Sequence, residues 1–340
     1  MGTGPGGVTW DERRILVDGR PFYVHGVNLF LDPRPLEFEP RRIYDPPLAD
    51  PAVVGRIAGL LPRLGVNAVR LWPTNVRGVH ECQVPARCFD AFARNGVWIV
   101  LNLPVNWNRK PPLVELARFV QEYSEREHPN LLAYCVSNEA YHGLTSPTRY
   151  LDAVVRLVKE RTTRPTLATS ANLNFPTYLG ADLLGADYFT YRWSISRDPE
   201  GTRDVGAVAK MFLEDAAGAG VRVPGLKWLV GPGWTKFLRL LRALAKRGNV
   251  SSEYFRRRVW GKVQAGRRAR KPVFLAEYGY CDDVDHLKLV FNNVPWRELA
   301  GHAWYNWTNF DPDVDGRVEN VALFEAFGRA VRAVSAYLRE

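Results

Sequence analysis

Eight short apolar runs, separated for the most part by segments of helical periodicity, set the terms on which this chain can fold. The first follows a hairpin signal, Asp18-Gly19, and ends at Asn28. The others are "NAVRLW" (67–72), "VWIVLNL" (97–103), "LLAYCVSNE" (131–139), "PTLATS" (165–170), "ADYFTYRW" (186–193), "PVFLAEYGY" (272–280) and "GHAWYNW" (301–307). Most are continuously apolar, as strands covered on both faces should be. Helical segments are predicted over 50–64, 85–96, 111–127, 146–162 and 319–339. The first carries Asp50 as cap, Pro51 at its first turn and Gly65 just past its end, the expected start and stop signals. Strand and helix alternating in this way predict a single α/β domain over residues 1–340, a (β/α)₈ or TIM barrel preceded by a β-hairpin. The rival, a doubly wound open sheet, would carry a glycine-rich turn after its first strand, and "HGVNLFLDP" has none.

An apolar fraction of 46% in 340 residues is ample for a large core. The N-terminus, "MGTGPGGVTWDERR", has no basic patch followed by an apolar stretch, and no run of 18 apolar residues occurs. The expectation is a cytoplasmic protein, with the insertion described below bringing it to the membrane periphery. Of the four cysteines, Cys82 and Cys88 could close a small loop, but free thiols in a reducing compartment are the plainer reading. Their spacing fits no metal site, and no metal or organic cofactor is implied.

In a (β/α)₈ barrel, chemistry gathers where strands end at the C-terminal face. The runs end in Asn28, in Arg70 and Trp72, in Asn102, and in Asn138-Glu139; the sixth carries Tyr191 and Trp193, the seventh Glu277-Tyr278, and the eighth Trp304, Asn306 and Trp307. Ring closure would turn two carboxylates, an arginine, several amides and several aromatic rings toward one cup. Paired carboxylates suit glycosidic cleavage: one protonates the leaving oxygen while the other works on the opposite side of the anomeric carbon. Separated by about 5–5.5 Å, the second attacks directly and configuration is retained. Arg70 is of the right type to keep Glu277 ionised. Each residue alone has a plainer role: a strand-end Glu as a cap or ion-pair partner, Arg70 paired with a structural acid, Trp304 and Trp307 as core.

From about Ile15 to Trp307 the chain resembles the retaining (β/α)₈ glycoside hydrolases of clan A, the group of β-galactosidases, β-glucuronidases, β-mannanases and cellulases. "VDGRPFYVHGVN" resembles the opening strand of the β-galactosidase-like members, and "LGVNAVRLW" their second strand with its Arg. "HPNLLAYCVSNEA" resembles the fourth-strand signature, "KPVFLAEYGY" the seventh, and "GHAWYNWTNF" the eighth with its sugar-stacking Trp. The resemblance implies Glu139 as acid/base, Glu277 as nucleophile, Asn138 as partner of the sugar 2-hydroxyl and Arg70 as partner of the nucleophile. It also implies Tyr191 as the sixth-strand contact and Trp307, or else Trp304, as the stacking ring; Asn28 and Trp72 complete the expected substrate-binding set. The implied activity is that of a retaining β-glycosidase on an oligosaccharide, polysaccharide or other glycoside. The alternatives are a transglycosidase with the same residues, or a noncatalytic glycan-binding or membrane-associated barrel. Asn102 stands where many relatives carry His, and the fifth strand has no clear sugar-binding signature.

Residues 194–271, between the sixth and seventh strands, are too long for an ordinary loop and predict a partly helical insertion. From Arg222 to Lys271 there are fifteen Lys and Arg against one acid, Glu253. That segment is +14 where the whole chain is +10, so the rest is about −4. "GWTKFLRLLRALAKRG" (233–248) reads as a basic amphipathic helix. Such a surface suits an anionic membrane or an acidic glycan, or else docks on the barrel with its charges in water. No nucleic-acid-binding module is present, and no nucleic-acid partner is expected.

Overall fold

The computed structural model describes residues 7–30, 51–73, 84–105, 110–124, 126–137, 148–170, 180–189, 249–279, 284–305 and 318–340. Chain order is β1 (Val8–Trp10), β2 (Ile15–Val17), β3 (Arg20–Phe22), β4 (Val24–Phe30), α1 (Pro51–Leu60), β5 (Ala68–Trp72), α2 (Ala86–Arg94) and β6 (Trp98–Asn102). It continues with α3 (Leu113–Glu122), β7 (Leu131–Ser137), α4 (Thr148–Lys159), β8 (Thr166–Ser170), β9 (Leu183–Phe189), α5 (Asn249–Ala269), β10 (Val273–Gly279), α6 (Val284–Asn293), β11 (Gly301–Tyr305) and α7 (Val318–Arg339). Strands β4 to β11 close into a parallel eight-stranded barrel, the predicted (β/α)₈ architecture.

β1, β2 and β3 form a separate antiparallel meander. Asp18 (φ 51°) and Gly19 (φ 74°) turn β2 into β3, both left-handed, as a two-residue hairpin turn demands. Val8 and Ile15 pack with Val24, Ala68 and Phe274 from the barrel interior, so the meander plugs the end where the strands begin. α1 runs on into a short 3₁₀ turn over Leu61–Leu64, stopped by Gly65 at φ 80°. The Asn67 side chain ties the first two barrel strands at their starts, accepting from His25 N at 2.8 Å and donating to Tyr23 O at 2.8 Å.

Two apolar layers follow from strand alternation. Outward positions such as Val69, Leu71, Leu101, Tyr134, Val136 and Tyr278 pack with helix residues. Inward positions near the strand starts, among them Ala68, Val100, Leu132, Leu167 and Ala303, fill the barrel. Cys88 and Cys135 are both free, buried thiols, so Cys88 is not bridged to Cys82.

Two helices had no predicted range of their own, and the first of them falls inside the insertion expected to be partly helical. α5 occupies the last part of the basic insertion and packs against β9, β10 and α6. Val259 and Val263 are buried, and Gly266 lies so close to Val273 that no Cβ would fit. This part of the insertion therefore docks on the barrel. The amphipathic segment 233–248 lies outside the described residues, as do Asp50 and Ser146. No helix among the described residues is long and apolar enough to cross a membrane.

Candidate active site

Toward the strand ends the barrel interior changes character. Asn28 on β4, Arg70 on β5, Asn102 on β6, Ser137 on β7, Thr169 on β8, Asp187 on β9 and Glu277 on β10 are all buried. Val27 and Leu29, Val69 and Leu71, and Leu101 and Leu103 pack outward, as do Val136, Ala168, Ala186 and Tyr278, so alternation turns these side chains inward. Seven of the eight barrel strands thus contribute one polar group each to a layer above the apolar filling. A register irregularity between Leu275 and Glu277 re-aims β10, with Glu277 directed inward while Tyr278 packs outside.

Arg70 is the hub of this layer. Its Nη1 donates to Glu277 Oε1 at 2.5 Å and lies 3.9 Å from Asp187 Oδ1. The same atom donates to Asn28 Oδ1 at 3.3 Å and to the Ala276 carbonyl at 3.4 Å. Nε donates to Asn102 Oδ1 at 3.0 Å, and Nη2 reaches Cys135 Sγ at 3.4 Å. Burial by itself opposes the charge, yet Cys135, Glu277 and Asp187 outweigh it and raise the Arg70 pKa. Burial also pushes the Cys135 thiol up to about 11, so at neutral pH it is uncharged and the two carboxylates supply that support. A buried guanidinium costs several kcal/mol to desolvate, which only close, well-saturated partners offset.

Asn28 is fixed from the other side. Its Nδ2 donates to the carbonyls of Ala276 at 3.0 Å and Ala303 at 3.1 Å, while Oδ1 also accepts from Trp72 Nε1 at 3.2 Å. The Arg70 guanidinium lies 4.8 Å from the centre of the Trp72 ring, a cation–π contact. Asn28, Arg70, Trp72, Asn102 and Glu277 therefore form one bonded cluster, as closure of the predicted strands required. Asn102 Nδ2 and Ser137 Oγ, both buried at the ends of adjacent strands, have no hydrogen-bond partner among the described residues.

Trp304 needs correction. It is fully buried in the outer layer, ringed by Tyr278 at 5.1 Å, Phe327 at 5.5 Å and Phe291 at 6.0 Å between centroids. Ala303 takes the inward position on β11, so Trp304 faces the helices and is core rather than a stacking platform for sugar. Asn138 and Glu139, directly after β7, lie outside the described residues, as do Tyr191 and Trp307. Three residues of the polar layer were not among the predicted site residues: Ser137, Thr169 and the acid Asp187, the last in Cα register with Glu277 on the neighbouring strand. The signal was present, an acid inside the apolar run "LLGADYF". No group of three His, Cys, Asp or Glu able to hold a metal occurs among the described residues.

No protein-family model matches the chain, and a search of curated protein sequences finds no match. Solved structures do resemble it in fold. The β-glucuronidase of Ruminococcus gnavus in complex with uronic deoxynojirimycin superposes with a TM-score of 0.56 at 14% identity, over 88% of this chain and 46% of that one. A β-D-glucuronidase of Dictyoglomus thermophilum gives 0.55 at 14% identity, over 88% and 46%. A β-glucuronidase of an uncultured Clostridium species gives 0.54 at 12%, over 87% and 46%. The chain spans under half the length of these structures. What it shares with them is the fold, the barrel of eight parallel strands.

Proposed function

We propose that the chain is a retaining β-glycosidase in which Glu277 is the nucleophile and Glu139 the acid/base. In the first step a Glu277 carboxylate oxygen bonds to the anomeric carbon as Glu139 gives its proton to the departing glycosidic oxygen. In the second, Glu139 takes a proton from water, the water oxygen bonds to the anomeric carbon, and the Glu277–sugar bond breaks. The observation that carries this reading is the 2.5 Å ion pair of Arg70 with Glu277 in the polar layer of a parallel barrel. A buried carboxylate so held stays ionised and fixed in one rotamer, as a nucleophile requires. The position of Asn138-Glu139 immediately after β7 in the sequence, and the fold shared with β-glucuronidases, support the same reading.

β-Glucuronides are the first substrates to try, since a similar barrel binds D-glucuronic acid. Aryl β-galactosides, β-glucosides and β-mannosides, with polymeric mannan and glucan, complete the panel. A 2-deoxy-2-fluoro sugar with an activated leaving group should glycosylate the enzyme in place of the natural sugar and stall there. Peptide mapping is expected to put that label on Glu277, and Glu139→Gln and Glu277→Gln to abolish turnover while leaving thermal unfolding cooperative. Turnover at wild-type rate in both variants would end the proposal.

A further inference from the structure

Glu277 alone neutralises Arg70, yet the layer holds a second carboxylate. Asp187 is 1% exposed, stands opposite Glu277 in the β9–β10 register, and brings Oδ1 to 3.9 Å from Arg70 Nη1, the nitrogen that serves Glu277. Neighbouring parallel strands are about 4.8 Å apart, so the two carboxylates are immediate neighbours. With Arg70 positive and both acids ionised, this trio is net negative. A second acid in this layer is costly to desolvate, and the fold could fill the position with an amide or a small apolar group. The backbone nearby is tailored for closeness as well: at Gly185, two residues back on β9, a Cβ would fall 2.6 Å from Thr169 Cγ2.

We propose that Asp187 is a positioning residue for this site, sharing Arg70 with Glu277 and so limiting how tightly the guanidinium holds that carboxylate. The inference rests on the reading of Glu277 as nucleophile and adds to it. A carboxylate bound by Arg70 alone would be firmly anionic but weakly basic, and slow to attack. A second anion on the same nitrogen loosens the pair and repels Glu277 directly, and both effects raise its basicity. Among the described residues, Arg70 on β5 bonds Glu277 and Asp187 on β9 stands beside it in register, while Asn28 on β4, Asn102 on β6 and Cys135 on β7 reach it through Arg70. Of these, Asp187 is the second carboxylate.

The test compares Asp187→Asn, which removes the charge and keeps the shape, with Asp187→Glu, which keeps the charge one methylene away. In Asp187→Asn the acid limb of kcat/KM should move down by about one pH unit, with kcat falling about tenfold and KM changing less than about twofold. Asp187→Glu should leave the limb within a few tenths of a unit of wild type. The carboxylate of Glu277 is also followed without turnover, by infrared titration with its band assigned through its loss in Glu277→Gln. That band should titrate lower in Asp187→Asn and near wild type in Asp187→Glu. If the band moves this way while wild type turns over no glycoside, the charge sharing stands and the glycosidase reading falls. If the band and the acid limb stay in place in Asp187→Asn, or move as far in Asp187→Glu, Asp187 does not act on Glu277 through charge. Should Asp187→Asn fail to fold, Asp187→Ser takes its place, with the same lowered band expected and an unmoved band overturning the proposal.

Discussion

Tyr278 places its hydroxyl 2.7 Å from His302 Nδ1, on the outer side of the strand that carries Glu277 inward. The bond continues a buried chain: His302 Nε2 lies 2.9 Å from His25 Nδ1, and His25 Nε2 lies 2.9 Å from Ser335 Oγ on α7. Ser335 donates to the Val331 carbonyl at 2.9 Å, which fixes the direction of the rest. Its oxygen accepts from His25 Nε2–H, His25 Nδ1 accepts from His302 Nε2–H, and His302 Nδ1 accepts from Tyr278. Every link is satisfied with both histidines neutral.

Acid should therefore destabilise the fold through these histidines. Burial lowers the His25 pKa to about 4, and burial together with the proximity of His25 lowers that of His302. In the unfolded chain both return to about 6.5, so between these values the unfolded state binds more protons. The stabilisation is present above pH 6.5 and is lost progressively as pH falls toward 4. For His25 alone the loss by pH 5 is about 2 kcal/mol. Urea unfolding at pH 7 and pH 5 measures it, and His25→Gln should flatten part of the slope.

Arg70 and Glu277 are expected to be strongly coupled in stability. Arg70→Met strands two buried carboxylates and should cost about 3–5 kcal/mol. Adding Glu277→Gln removes one of the stranded charges, so the double variant should be more stable than the sum of the singles predicts by about 1–3 kcal/mol. Additive losses in a denaturation cycle would show that the pair is not held as its geometry states.

Most of the barrel was legible because its strands are covered on both sides, which leaves apolar runs that composition alone reveals. β5, β6, β7, β10 and β11 begin within a residue of their predicted starts. β9 was misplaced. Aromatic density in "ADYFTYRW" drew the prediction to 186–193, whereas the strand is Leu183–Phe189, opening directly after Asp182. Asp182 sits there because its carboxylate accepts from Thr166 N and Oγ1 at 2.9 and 2.7 Å and from Lys159 at 2.6 Å. Those partners are distant in sequence and leave no local signal. The same shift hid Asp187, while Tyr191 lies outside the described residues. α5 lies in the insertion expected to be partly helical, but its bounds were not drawn because its six Arg and Lys read as surface, although Lys262 itself is buried.

Gly185 should tolerate no side chain. A Cβ would stand 2.6 Å from Thr169 Cγ2 and about as close to its Cβ and Cα, at 3.0 and 3.1 Å. Gly185→Ala must push β8 and β9 apart, at an expected cost of about 1–3 kcal/mol. Because Thr169 and Asp187 stand in the polar layer, the strain should also lower kcat. Adding Thr169→Ser to Gly185→Ala removes the Cγ2 clash only, so partial recovery of the melting temperature is expected, and full recovery would mean that the backbone approach is slack.

Two tryptophans with similar sequence surroundings should behave oppositely, for a reason the sequence conceals. When both faces of a strand are apolar, alternation no longer says which side chain points in. Trp304 is enclosed among Tyr278, Phe291 and Phe327, so Trp304→Leu opens a cavity and should cost about 2–4 kcal/mol with KM for an aryl glycoside unchanged. Trp72 is partly exposed at the end of β5 and bonded to Asn28 through Nε1. Trp72→Phe keeps an aromatic ring but removes the Nε1 bond to Asn28 Oδ1, leaving that oxygen to Arg70 while Nδ2 stays on the Ala276 and Ala303 carbonyls. A severalfold loss in kcat/KM with stability changed by about 1 kcal/mol or less is expected there. Paired melting and steady-state measurements on the two variants distinguish the roles, and a KM effect at Trp304 equal to that at Trp72 would place both rings at the substrate.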